Sequence, residues 1–156
     1  MSIQIGDSAP NFTLIASDKS AVALSDFRDK KNVVLLFFPL AFSGVCTAEL
    51  CATRDDIGTY ESLEAQVLAV SVDSIFALEK FKEDQKINFP LLSDFNKTTA
   101  QAYGAYYEIF FGMQGVAKRA AFVIDKKGSV QYAEVLESAD DLPNFEAIRK
   151  ALSQLN

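Results

Sequence analysis

Histidine is absent from the chain of 156 residues, as is tryptophan, and there are two cysteines. Without histidine, Ser-His-Asp and Cys-His nucleophile systems cannot be assembled from this chain. His-ligated haem and the histidine-containing zinc sites are excluded as well, and two thiolates cannot complete a four-thiolate metal site. No apolar run approaches the roughly 18 residues that cross a bilayer. The segment Met1–Asp7 has neither the basic start nor the apolar stretch of a secretory leader. Positive charge is scarce too. Asp and Glu number 21 against 15 Lys and Arg, a net charge of -6 with a pI near 4.6. Nucleic acid and anionic membrane both select a basic footprint, so neither is an expected partner. A soluble cytoplasmic protein is the expectation, and there a cysteine pair is more often catalytic or metal-binding than structural.

What is present suits one globular domain over 1–156. Apolar residues make up 49% and charged residues 23%, and a chain of this length buries about 68–70% of its unfolded surface. Seven glycines and four prolines are scattered singly, so no linker is marked. Thr13–Ala16 and Ala21–Leu24 flank Ser17–Ser20 as a small hairpin, followed by a polar turn over 25–31. Val33–Phe38 and Val67–Val72 are continuous apolar runs of the kind buried in the middle of a sheet. The pattern predicts helix over 45–64. It predicts helix again over Ile75–Gln85, with Ile75, Phe76, Leu78 and Phe81 at helical spacing. Phe89–Leu92 is expected as a short strand, Thr98–Tyr103 as helix and 104–117 as an aromatic, glycine-rich loop. Arg119–Ile124 and Val130–Val135 flank the turn Asp125–Ser129. Pro143–Leu155 is a closing amphipathic helix with Pro143 in its first turn. The order is hairpin, β-α-β-α-β, then β-β-α. It implies a mixed sheet with helices on both faces, an α/β class.

Both cysteines lie in Pro39-Leu-Ala-Phe-Ser43-Gly-Val-Cys46-Thr-Ala-Glu49-Leu-Cys51. Cys46 falls where an apolar strand hands over to a helix. Backbone N–H groups and the helix dipole favour an anion there, which is how proteins generate reactive thiolates. With no histidine available, a different cation, the helix terminus or hydrogen bonds must activate it. Structural alternatives stand beside each functional one. Cys46 could be a buried packing cysteine, Ser43 a helix cap, Pro39 a strand terminator, Glu49 a first-turn carboxylate and Arg119 one half of a surface ion pair.

These residues resemble the peroxiredoxins over nearly the whole chain. Ile5–Phe12 is similar to the family's N-terminal opening, and Pro39-x-x-x-Ser43-x-x-Cys46 to its active-site signature, with serine where threonine is commoner. Ser71–Ser74, Phe89–Asp94 and the strand opened by Arg119 also match. Cys51, five residues after Cys46, is placed as in the Q-type (bacterioferritin comigratory protein) members. The segments 112–136 and 142–147 resemble the E-type alkyl hydroperoxide reductases, many of which use one cysteine.

The resemblance implies a thioredoxin-like fold and a thiol-dependent peroxidase for hydrogen peroxide and organic hydroperoxides. It implies no metal, haem, flavin or nicotinamide. Cys46 would be the peroxidatic nucleophile and Arg119 the cation beside it. Ser43 would hydrogen-bond thiolate or peroxide, and Pro39 would shield the thiol. Glu49 would orient Arg119, and the backbone N–H groups of Val45 and Cys46 would donate to the peroxide, with Gly44 fitting a tight entry loop. Phe42, Phe110 and Phe111 are candidate pocket walls.

Cys51 would resolve the oxidised Cys46, with thioredoxin, glutaredoxin or a low-molecular-weight thiol as reductant. Alternatively, Cys51 packs structurally and an external thiol resolves. In an intact helix five residues separate two positions by about 7.5 Å of rise and roughly 140° of rotation. A disulfide needs Cα atoms closer than about 7 Å with converging Cβ vectors, so resolution by Cys51 demands local unwinding. A thiol–disulfide oxidoreductase would carry Cys-x-x-Cys instead. A redox sensor or holdase chaperone is the non-enzymatic alternative. Tyr106, Tyr107, Phe110 and Phe111 could form a homodimer contact.

Overall fold

The computed structural model describes residues 3–155. Met1, Ser2 and Asn156, the ends of the expected domain, lie outside the described residues.

Two parallel strands at the centre, β3 (Asn32–Phe37) and β4 (Ala65–Ser71), are paired in register from Asn32 opposite Ala65 to Phe37 opposite Val70. Every residue of β3 is buried, because helices cover both faces, and a strand buried on both faces needs an unbroken apolar run rather than an alternating one. Around this pair the sheet runs β2-β1-β5-β4-β3-β8-β9. The remaining strands are β1 (Thr13–Ala16), β2 (Ala21–Ala23), β5 (Leu91–Ser93), β8 (Ala120–Ile124) and β9 (Val130–Val135). β5 is parallel to β4, whereas β8 is antiparallel to β3, so the sheet is mixed, as the element order implied.

One face packs on the helices α1 (Gly44–Asp55), α2 (Ile57–Ser62), α3 (Ile75–Gln85) and α5 (Phe145–Ser153). Its core includes Val34, Leu36, Leu50, Tyr60, Leu78, Phe81, Ile148 and Leu152. The other face holds Leu24 from a 3₁₀ turn (Leu24–Phe27), together with Ala100 of α4 (Thr98–Ala102) and Tyr103. There Tyr103, Phe37 and Phe122 meet ring to ring, with centroids 5.1–6.0 Å apart.

Several expectations are corrected. The segment 104–117 is not a loop but a two-stranded hairpin, β6 (Tyr106–Phe110) and β7 (Met113–Ala117). Phe111 and Gly112 turn it with φ of 50° and 78°. Both central residues sit at positive φ, as a two-residue hairpin needs, but phenylalanine replaces the usual asparagine or aspartate in the first place and hides the signal.

The helix expected over 45–64 breaks at Asp56, the cap shared by α1 and α2. Phe76 is 67% exposed, one position off the face that buries Leu78 and Phe81. The strand expected at Phe89–Leu92 begins only at Leu91. β5 lies between β1 and β4, and Pro90, lacking an N–H, cannot join an interior strand. Pro143 precedes the closing helix rather than opening it. Asn144 is the cap, its side chain accepting from the Ala147 N–H at 3.0 Å.

Leu35, fully buried in β3 between its two neighbours, reports on this core. Leu35→Ala should cost about 2–5 kcal/mol in denaturant unfolding, with the slope against denaturant unchanged.

Candidate active site

At the carboxyl end of β3 the chain leaves the sheet through buried Pro39, crosses Leu40 to Phe42 and enters α1 at Ser43. Gly44, Val45 and Cys46 form the first turn of α1, where N–H groups lack intrahelical partners. Phe42 has φ of 69°, a left-handed conformation that costs a residue with a Cβ about 1–2 kcal/mol. Ser43 occupies the cap position, yet its hydroxyl does not cap the helix. It donates to the Leu40 carbonyl at 2.7 Å and so staples the entry loop. The Ser43 carbonyl in turn accepts from the Thr47 N–H at 3.0 Å and the Thr47 hydroxyl at 2.8 Å.

Arg119 arrives from the neighbouring strand, immediately before β8, which pairs with β3 on the side opposite β4. Its guanidinium is buried at 1% exposure and distributes its donors over three groups. Nη1 donates to Glu49 Oε1 at 2.6 Å. Nη2 donates to Cys46 Sγ at 3.3 Å and to the Ala139 carbonyl at 2.7 Å. A planar fork with several donors is what allows one cation to bridge a helix, a loop and a thiol at once. Lys118, beside it in the two-residue link between β7 and β8, points elsewhere. Its ammonium pairs with Glu137 at 2.9 Å and lies 5.5 Å from the centre of the Tyr107 ring.

Glu49 is fully buried one helical turn beyond Cys46. Burial pushes its carboxyl up to about 7, raised further by Glu134, while Arg119 pulls the other way. Burial opposes the charge on Arg119, but Glu49 and Cys46 outweigh it and leave the guanidinium above its ordinary value.

A cavity of about 330 Å³ opens over Cys46. Pro39, Ser43, Gly44, Val45, Cys46 and Arg119, six of the residues singled out from the sequence, all line it. Glu49 lies behind Arg119. Phe110 and Phe111 of the hairpin form a wall, as expected, together with Met113. Phe42 does not. Its ring turns away and packs edge-on against Phe81, with centroids 5.1 Å apart.

Cys51 is not in the cavity. It is half-buried further along α1, and its Sγ lies 3.5 Å from Gln85 Oε1 at the end of α3. Both thiols are free, and α1 is continuous across them. Among the described residues no group of three or more Cys, Asp or Glu side chains could hold a metal ion. Ala139 was not singled out, because a backbone carbonyl acceptor carries no signature in the sequence. Neither were Leu40, beside Pro39, or Met113 and Asp140, which complete the lining from segments distant in the chain.

Residues 5–133 match the model of the AhpC/TSA family. Alkyl hydroperoxide reductase E of Mycobacterium tuberculosis is 36% identical over 140 residues, covering 88% of this chain and 89% of that protein. A chloroplastic 2-cysteine peroxiredoxin of Chattonella marina var. antiqua is 39% identical over 145 residues, covering 86% and 72%. Among solved structures, the peroxidoxin BcpB of Mycobacterium tuberculosis superposes with a TM-score of 0.88 at 28% identity, covering 99% of each chain.

A thioredoxin-like sheet with a thiol at the head of a helix and a buried arginine against it defines a thiol-dependent peroxidase. This chain belongs to the AhpC/TSA family, the peroxiredoxins.

Glu49 provides a pH test. Folding raises its affinity for a proton, so its contribution to stability is full below the ordinary value of 4.5 and is lost as pH rises through about 7. Measured against Glu49→Gln, the wild-type protein should therefore lose stability across that window. The iodoacetamide alkylation profile of Cys46 should also carry an inflection near 7 that Glu49→Gln lacks. Parallel curves for the two proteins would refute this.

Proposed function

We propose that Cys46 is the peroxidatic residue and that Cys51 resolves it. The observation that carries the reading is the Arg119 Nη2 donor, 3.3 Å from Cys46 Sγ at the floor of the cavity. A cation within hydrogen-bond reach favours a thiolate, and the Nη2 group beside the sulfur is placed to meet charge developing on a breaking O–O bond. The thiolate attacks the terminal oxygen of the hydroperoxide. An S–O bond forms, the O–O bond breaks, and the alkoxide or hydroxide leaves with a proton as alcohol or water. The first-turn N–H groups of Val45 and Cys46 and the Ser43 hydroxyl are the groups assigned to orient the peroxide, with Gly44 admitting it and Pro39 excluding bulk water. Glu49 holds Arg119 in place.

In the second half of the cycle α1 unwinds between the two cysteines. The Cys51 sulfur attacks the sulfenic sulfur, an S–S bond forms and water leaves. Thioredoxin, glutaredoxin or a low-molecular-weight thiol then reduces the disulfide and is itself oxidised. A reducing compartment such as the cytoplasm suits this turnover. A second reading is favoured by the contact of Cys51 with Gln85, away from the cavity: Cys51 stays packed and an external thiol resolves Cys46 directly.

We also assign a homodimer contact to the β6–β7 hairpin. Of the residues expected in such a contact, Phe111 is 88% exposed while Tyr106, Tyr107 and Phe110 are half-buried, and Ile109 and Met113 are the other exposed large apolar side chains there. Phe111→Glu should lower the mass of the species seen by sedimentation if this face is the contact. An unchanged mass would refute it.

The cysteine roles separate by mass spectrometry after an equimolar pulse of hydrogen peroxide. Wild-type protein should lose about two mass units, and Cys51→Ser should accumulate sulfenic acid on Cys46. Sulfenic acid on Cys46 in both would select the second reading, and no oxidation of Cys46 in either would refute the assignment. Arg119→Met should slow oxidation of Cys46 by roughly 10²–10³-fold.

A further inference from the structure

The entry loop carries a tether that none of these roles includes. Asp73 follows β4, next to the strand from which the loop springs, and its Oδ2 accepts from the Ala41 N–H at 2.8 Å. That bond joins two segments 32 residues apart. Ala41 is immediately before Phe42, the residue held at φ of 69°. The same carboxylate oxygen accepts from the Ser71 hydroxyl at 2.6 Å, while the Asp73 N–H donates to Ser71 Oγ at 3.2 Å. From the adjacent β5, the Ser93 hydroxyl donates to the Asp73 carbonyl at 2.6 Å. Asp73 is thus fixed by two strands before it holds the loop.

A left-handed phenylalanine persists only where its surroundings over-determine it. Two bonds flank Phe42: Ala41 to Asp73 on one side, and the Ser43 hydroxyl to Leu40 on the other. Together they set the direction in which the chain enters α1. They therefore set where the Ser43 hydroxyl and the N–H groups of Val45 and Cys46 stand relative to Sγ. The cation Arg119 comes from the opposite side and does not touch this tether.

We infer that Asp73 is a positioning residue for the peroxide step: its carboxylate holds the 39–43 loop so that the donors of the first turn of α1 align the O–O bond on Cys46. The inference rests on the assignment of Cys46 as the peroxidatic residue. Asp73 makes no contact with the thiol, so its removal separates two reactions of Cys46. Attack on a peroxide needs both oxygens aligned with Sγ, whereas alkylation by iodoacetamide needs only the thiolate and access to it.

The test compares wild type, Asp73→Ala, Asp73→Glu and Asp73→Asn. Peroxide oxidation of Cys46 is followed by rapid quench and mass spectrometry, and alkylation is followed in parallel. Asp73→Ala should slow oxidation about tenfold or more while alkylation stays within about twofold. Asp73→Glu keeps the charge but displaces the acceptor, and should also be slowed. Asp73→Asn keeps an oxygen able to accept from both Ala41 and Ser71 and should restore most of the rate. Should the alanine variant not fold, the glutamate and asparagine variants decide by the same criterion. Wild-type oxidation rates in the alanine and glutamate variants would overturn the inference, as would oxidation and alkylation falling in proportion. If wild-type Cys46 itself fails to react with peroxide, the assignment of Cys46 has failed rather than the role of Asp73.

Discussion

A guanidinium removed from water organises this molecule. Arg119 has three partners, on α1, in the segment after β9 and at the thiol itself. An unpaired buried charge is among the least tolerable features of a fold, and breaking such a pair by deleting one partner typically costs about 3–5 kcal/mol. The positions of Glu49, Cys46 and Ala139 are therefore mutually dependent. Each is a partner of the arginine, and the arginine reaches them because β8 lies directly beside β3. The contact with the thiol and the cohesion of the layers share one set of hydrogen bonds.

Around that fixed point the site divides into a rigid half and a held half. β3 is paired with β4 along its whole length and with β8 from Val33 to Phe37, and it is buried on both faces, so the floor of the cavity inherits the stiffness of the sheet. The entry loop has no ladder. Its path is maintained by single bonds, Ser43 to Leu40 and Ala41 to Asp73, acting on a backbone with an unfavourable conformation at Phe42. Segments of this kind occupy the low-stability end of a protein's opening spectrum. A helix that starts from such a loop and ends after Asp55 is a reasonable element to open locally without the sheet following.

Much of this was legible in the sequence where local pattern and tertiary role coincide. The apolar run at 33–38 could only be a doubly buried strand. The placement of Cys46 after it put the thiol at a helix start, and the resemblance to the peroxiredoxins directed attention to Arg119. Glu49, one turn beyond Cys46, is on the face that meets that arginine. Legibility failed where a position is decided by neighbours distant in the chain. Phe111-Gly112 does not have the look of a tight turn, yet the hairpin forms, with Tyr107 stacked on Phe110 at 5.0 Å. Phe42 has the composition of a pocket wall, but the backbone at that residue points its ring towards Phe81. Pro90 delays β5 because the strand is interior, a fact of sheet order and not of local propensity. The Ala139 carbonyl has no side chain to announce it, and the link from Asp73 to Ala41 spans two strands.

The 1% exposure of Cys46 has a further consequence, one of size. With α1 wound, the sulfur meets the outside only through a cavity of about 330 Å³, roomy for a hydroperoxide and far too narrow for the surface of another protein. The fold thus acts as a sieve that sorts oxidants from protein reductants by bulk. A macromolecular thiol gains entry to Cys46 only after the helix has opened. Any oxidised form of Cys46 is thereby out of reach of a protein thiol for as long as α1 stays wound.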